Sequence, residues 1–147
     1  MRNNQKGITL VALVITIIVL LILAGVTIAA LSGDNGILKR GSEAKVQTNV
    51  QNAKDLINLG VQECMTNYYN GKYVTNDTEV NNAASIGAYI ISKIKSTQAS
   101  SVIESVSSTG KLIITTNVKD ANGGTMSAEV DTNGKLKWTN DKLTPTT

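Results

Sequence analysis

The feature that most constrains this chain is an uncharged apolar run of 24 residues, Ile8 to Leu31. As a helix it is about 36 Å long at about 1.5 Å per residue, enough to cross a hydrocarbon core of about 30 Å. Its only polar side chains are Thr9, Thr16 and Thr27. A helical Thr can return its hydroxyl to a carbonyl one turn back, so these three cost little in lipid. The run follows MRNNQKG, which is short, polar and positive. Arg2 and Lys6 favour a cytoplasmic N-terminal end, with the rest of the chain outside. A secretory signal has an apolar region of only about 7–15 residues before a small-x-small cleavage site. Ala30-Leu31-Ser32 fits that pattern, but the run before it is too long and no lipobox cysteine follows. The expectation is a retained segment.

Lys6-Gly7-Ile8-Thr9-Leu10-Val11 resembles the class III signal of type IV prepilins and pseudopilins, and the longer string from Gly7 to Ile28 is similar to pilin-like proteins of low-GC Gram-positive bacteria. The resemblance covers residues 6 to about 45. It implies cleavage between Gly7 and Ile8 by a membrane-embedded peptidase, with Ile8 N-methylated as the first mature residue. It also implies an assembly ATPase, a platform protein and other pilins as partners. The family usually places Glu at the fifth mature residue, whereas this chain has Ala12. That Glu pairs with a neighbour's terminal amine in the family, and an unpaired carboxylate in hydrocarbon costs several kcal/mol. Without it, packing of the filament core falls to apolar and small residues such as Leu10, Ala12, Ala24 and Gly25.

The remainder of the chain excludes several chemistries. There is no His, which removes Ser-His-Asp triads and His-ligated zinc. Cys64 is the only cysteine, so no internal disulfide and no CxxC metal pair is available. The 14 basic residues are scattered among 11 acidic ones without interleaved aromatics, so outside a DNA-uptake role nothing points to nucleic acid. Residues 1–7 hold Arg2 and Lys6 and no acid, and removing them lowers the formal charge from +3 to +1. Asp120-x-Asn122-Gly123 and Asp131-x-Asn133-Gly134 faintly resemble calcium loops, but the late bidentate Glu is missing and β-turns explain both. No catalytic residue, metal site or cofactor is expected, and the chain does not read as an enzyme.

The organisation after the anchor follows from periodicity. Ser32 to Gly36 predicts a kink or break, with Gly33 and Gly36 as the helix-breaking residues, Gly33 as a C-cap and Asp34 or Asn35 as an N-cap. An amphipathic helix is expected over 37–66, because Val46, Val50, Ala53, Ile57, Val61 and Cys64 form one stripe. Gly41 and Gly60 each weaken it by about 1 kcal/mol relative to Ala. The head, 67–140, is expected to hold a tyrosine cluster of Tyr68, Tyr69 and Tyr73, a loop or short strand over 73–76, and a second helix over 79–96 capped by Asp77 or Thr78. A weak edge strand is expected over 100–107. Strands over 111–119, 125–130 and 135–139 are joined by Asn-Gly turns, a strong hairpin signal. Residues 141–147 read as a loose tail.

The resulting expectation is an α+β, type IV pilin-like fold, with a long N-terminal helix packed through its amphipathic half on a C-terminal antiparallel β-meander. The expected role is a structural filament subunit held in the cytoplasmic membrane, N-terminus in and C-terminus out, and extracellular after assembly. The alternatives are a pseudopilin of a secretion or DNA-uptake machine and an uncleaved single-pass surface protein.

Overall fold

The computed structural model describes residues 4–72 and 78–146. The chain divides into two compact units, Met1–Ser42 and Glu43–Thr147. The elements are α1 (Asn4–Ser32), α2 (Ile37–Asn70), α3 (Thr78–Asn82), α4 (Ile86–Lys93), β1 (Ile103–Ser107), β2 (Leu112–Lys119), β3 (Thr125–Val130) and β4 (Leu136–Thr139), with 3-10 turns at Ile94–Ser96 and Gln98–Ser101. A long N-terminal helical region followed by an antiparallel sheet is the α+β arrangement that the sequence pattern predicts. Arg2, Tyr73, Asp77 and the expected loop over 73–76 lie outside the described residues.

In the second unit, the apolar stripe of α2 becomes a buried seam. Val50, Ala53, Ile57, Gly60, Val61, Cys64 and Tyr68 are buried at three- and four-residue intervals along the helix. The helix runs to Asn70 because Tyr68 belongs to the same stripe. The sheet has the order β1-β2-β3-β4, with every neighbouring pair antiparallel. Ile114, Thr116, Met126, Ala128 and Val130 alternate with more exposed residues and make the covered face. Ile114 stands opposite Ala128, and Ala128 opposite Trp138. Trp138 packs against both apolar clusters of the head, the larger around Ile57, Ile90 and Ile114 and the smaller around Val50, Ala53 and Met126.

The segment over 79–96 differs from the single helix that its periodicity suggests. It runs as α3, a break over 83–85, α4 and a 3-10 turn. Ser85 takes an extended conformation and its hydroxyl accepts the Ala88 N–H at 3.1 Å, which starts α4 afresh. Gly87 then lies against the β3–β4 turn, where a Cβ would come within 2.2 Å of the Asp131 carbonyl oxygen. This close approach fixes where α4 begins. Ser100 to Ser107 divides into the end of a 3-10 turn and β1, the expected edge strand, which brings the meander to four strands.

The end of the chain is tied down, in contrast to the expected loose tail. Asp141 forms an ion pair with Lys54 of α2. The Lys142 N–H donates to Asp120 Oδ2 at 3.2 Å, and the Thr146 N–H donates to Asn122 Oδ1 at 2.8 Å. Polar side chains of the β2–β3 turn hold a segment that has no hydrophobic pattern of its own.

Candidate functional site

The candidate site is the N-terminal segment. Lys6, Gly7 and Ile8 all lie within α1, on a helix that continues unbroken to Ser32. Apolar residues surround this helix on every side, so no single face can be buried by the chain itself. From Ile8 to Leu31 every side chain is exposed, Ile8 by 69% and Leu21 by 67%. Patches of this size on a free monomer mark a membrane or assembly surface.

The polar atoms of the segment are arranged for an apolar medium. The Thr9 hydroxyl donates to the Lys6 carbonyl at 3.1 Å, and that of Thr16 to Leu13 at 2.7 Å. The Thr27 hydroxyl reaches the carbonyls of Leu23 and Ala24 at 3.0 and 2.9 Å. No carboxylate occurs between Ile8 and Gly33. A terminal ammonium at Ile8 would therefore meet no acid along its own apolar segment.

The helix places the named packing residues unevenly. At about 100° per residue, Ala24 and Gly25 flank the direction of Leu10, about 21 Å further along the axis, while Ala12 points nearly the opposite way. A Cβ at Gly25 would meet nothing within 4 Å. Ala24 and Gly25 thus form a shallow notch on that side of the helix.

Residues 33–36 interrupt the helices. The Gly33 N–H still donates to Ala29 at 3.1 Å, and the Gly36 N–H donates to Gly33 at 2.7 Å. Gly36 occupies the N-cap of α2, since its carbonyl accepts the Arg40 N–H at 3.1 Å. Asp34 and Asn35 therefore do not cap α2, and Asp34 instead pairs with Lys39 at 3.4 Å. Neither Gly33 nor Gly36 has a positive φ. Gly36 is required by close approach, because a Cβ there would fall 2.4 Å from the Leu31 carbonyl oxygen. Gly33 accordingly ends α1 without the left-handed C-cap that a terminal glycine suggests.

The head contributes no competing chemistry among its described residues. Cys64 is buried, and burial above all, with Glu63 beside it, pushes its thiol up to about 11. Such a thiol is inert at neutral pH. Tyr68 packs against Tyr69 and against Tyr89, with ring centres 5.5 Å apart in both pairs. Tyr89 was not legible as a cluster member, being 21 residues beyond Tyr68 in the chain, and only the docking of α4 on α2 brings it there. An open groove of about 510 Å³ beside α3 and α4 is lined by the ion-paired Glu79 and Lys93 together with Tyr89. Asp120 Oδ1 accepts the N–H groups of Asn122 and Gly124, and Asp131 Oδ1 those of Asn133 and Lys135. Both carboxylates are thus engaged in closing turns. No group of three or more acidic, His or Cys side chains that could hold a metal occurs among the described residues.

The comparison with family models falls on this segment. Residues 2–28 match the prokaryotic N-terminal methylation motif. This is the prepilin-type cleavage and methylation segment of type IV pilins, and it takes in Gly7, Ile8 and most of α1. Comparisons with curated proteins and with solved structures gave no match. The chain thus carries the methylation motif of type IV pilins over residues 2–28, on a helix long enough to cross a membrane, and an α+β arrangement consistent with a pilin-like fold follows it.

Proposed function

We propose that the chain is a structural subunit of a type IV pilus-like extracellular filament. The observation that carries this reading is a methylation motif leading directly into an apolar helix that the chain leaves wholly exposed. A prepilin peptidase cuts between Gly7 and Ile8 and methylates the Ile8 amine. The leader, with Arg2 and Lys6, stays on the cytoplasmic side. The anchor waits in the cytoplasmic membrane, N-terminus in and C-terminus out. An assembly ATPase and its platform protein then move it into a filament built from this chain or with other pilins.

The transfer from lipid to filament is energetically reasonable. Both surroundings are apolar, so helix association depends on close packing rather than on the hydrophobic effect. The Ala24–Gly25 notch supports such packing. With Ala12 at the fifth mature position, docking rests on shape and apolar contact instead of a buried ion pair.

Mass spectrometry of the protein from its native cells tests the reading. The expected N-terminus is methylated Ile8, and an intact Met1 or an unmethylated Ile8 contradicts it. Gly7→Trp should retain the leader and abolish filaments. Electron microscopy of sheared cells should show long filaments labelled by antibody to the head; short structures confined to the envelope would indicate a pseudopilin instead.

A further inference from the structure

The first turn of α2 carries an arrangement that the pilin-like reading does not use. Ile37 and Leu38 are 71% and 66% exposed, as fully as the residues of the membrane-length run. They are followed by Lys39 and Arg40, and the turn contains no acid. At about 100° per residue, Ile37 and Leu38 take one side of the helix and Lys39 and Arg40 the other, with Gly41 between the two aliphatic directions. A Cβ at Gly41 would meet nothing within 4 Å, so that side presents only the two aliphatic chains.

Two cations in a first turn oppose the helix dipole, whose positive end lies there and favours acids. Lys39 has a partial answer in Asp34, at 3.4 Å with the carboxylate fully in solvent. Arg40 has no carboxylate partner among the described residues. The pair is thus open to an anion supplied from outside the chain.

Position in the chain identifies that anion. Ile37 comes five residues after Ser32, where α1 ends, and the intervening backbone is held in a tight turn by Gly33 and Gly36. We infer that Ile37–Arg40 is an interfacial turn on the outer membrane face, with Ile37 and Leu38 at the acyl boundary and Lys39 and Arg40 on the phosphates of anionic phospholipid headgroups. The inference rests on the membrane-anchored reading of α1. Exposed apolar side chains one short turn beyond the span, next to long cationic side chains, suit the headgroup region. Before assembly the turn would fix how far α1 emerges from the bilayer.

The test uses the full chain in vesicles of phosphatidylcholine alone or with phosphatidylglycerol. A polarity-sensitive fluorophore is placed on Leu38→Cys or, separately, Val19→Cys, in a Cys64→Ala background. Brominated lipids report the depth of each probe. The expected result is lipid quenching at position 19 in both vesicles. Position 38 should show a blue shift and shallow quenching that strengthen with phosphatidylglycerol and are lost in K39Q/R40Q. Quenching at 19 with a water-exposed probe at 38 in every vesicle overturns the interfacial turn and leaves the anchor standing. Shallow quenching at 38 that ignores both lipid charge and K39Q/R40Q overturns the headgroup contact. A water-exposed probe at 19 overturns the anchored reading, and the turn with it.

Discussion

The two units of this chain use the same aliphatic residues to opposite ends. In Met1–Ser42, Ile, Val, Leu and Ala surround a helix and are exposed; in Glu43–Thr147 the buried Ile57, Ile90 and Ile114 have no exposed surface. The difference is one of pattern. Alternation of apolar with Asn, Gln, Lys and Asp gives α2 a single stripe, and a single stripe can be covered by one sheet. An all-round apolar helix needs an all-round apolar environment, which one small head cannot supply. The head is therefore closed by its own residues, while the apolar helix is left uncovered.

The strongest test of that contrast is truncation in each unit. Ile57→Ala and Ile90→Ala should each lower head stability by about 2–5 kcal/mol. Ile15→Ala, at an exposed site in α1, should leave it within about 0.5 kcal/mol. Urea unfolding in detergent, followed by Trp138 fluorescence, measures both. A comparable loss from Ile15→Ala would mean that the anchor contributes to the head's fold.

A smaller effect separates the glycines. A Cβ at Gly60 would meet Thr97 Oγ1 at 2.6 Å and Ala99 Cβ at 2.9 Å. Gly60→Ala should cost about 1–3 kcal/mol through overpacking, despite a gain of about 1 kcal/mol in helix propensity. Gly25→Ala meets open space and should not change the thermal midpoint of the head.

Changes in pH probe the head from both sides. The folded Cys64 thiol titrates at about 11, chiefly because it is buried. The stability it contributes is complete below the unfolded thiol value of about 8.5 and is lost as pH rises towards about 11. Cys64→Ala should flatten that alkaline decline. The smallest effect belongs to Asp141, whose carboxyl is held below its ordinary value first by the hydrogen bond from Lys54. Its contribution is present above the unfolded value of about 3.9 and is lost as pH falls through the lower folded one. Both partners are partly exposed, so Asp141→Asn should cost no more than about 1 kcal/mol at neutral pH and converge with the parent in acid.

Much of the head was legible because its signals are local. The stripe from Val50 to Cys64 and the parity of Met126, Ala128 and Val130 each require only a few consecutive residues to read. Asn122-Gly123 and Asn133-Gly134 marked the turns, and Gly123 and Gly134 have φ of +79° and +85°, which glycine adopts without strain. The tail was misread because its order comes from Asp120, Asn122 and Lys54, all distant in sequence. The helix expected over 79–96 was misread because periodicity does not register a Ser that caps a new helix or a Gly pressed against a remote carbonyl.

By itself the sequence determined that a membrane-length apolar helix follows a short basic segment, and that an amphipathic helix and a hairpin sheet come after it. Those features depend on residue type and spacing, which are complete in one dimension. Only the tertiary structure decided that Gly60 admits the 3-10 segment, that Tyr89 joins Tyr68, and that the polar tail is held. Each of these depends on a distance between residues far apart in the chain, and such distances arise only when the core closes.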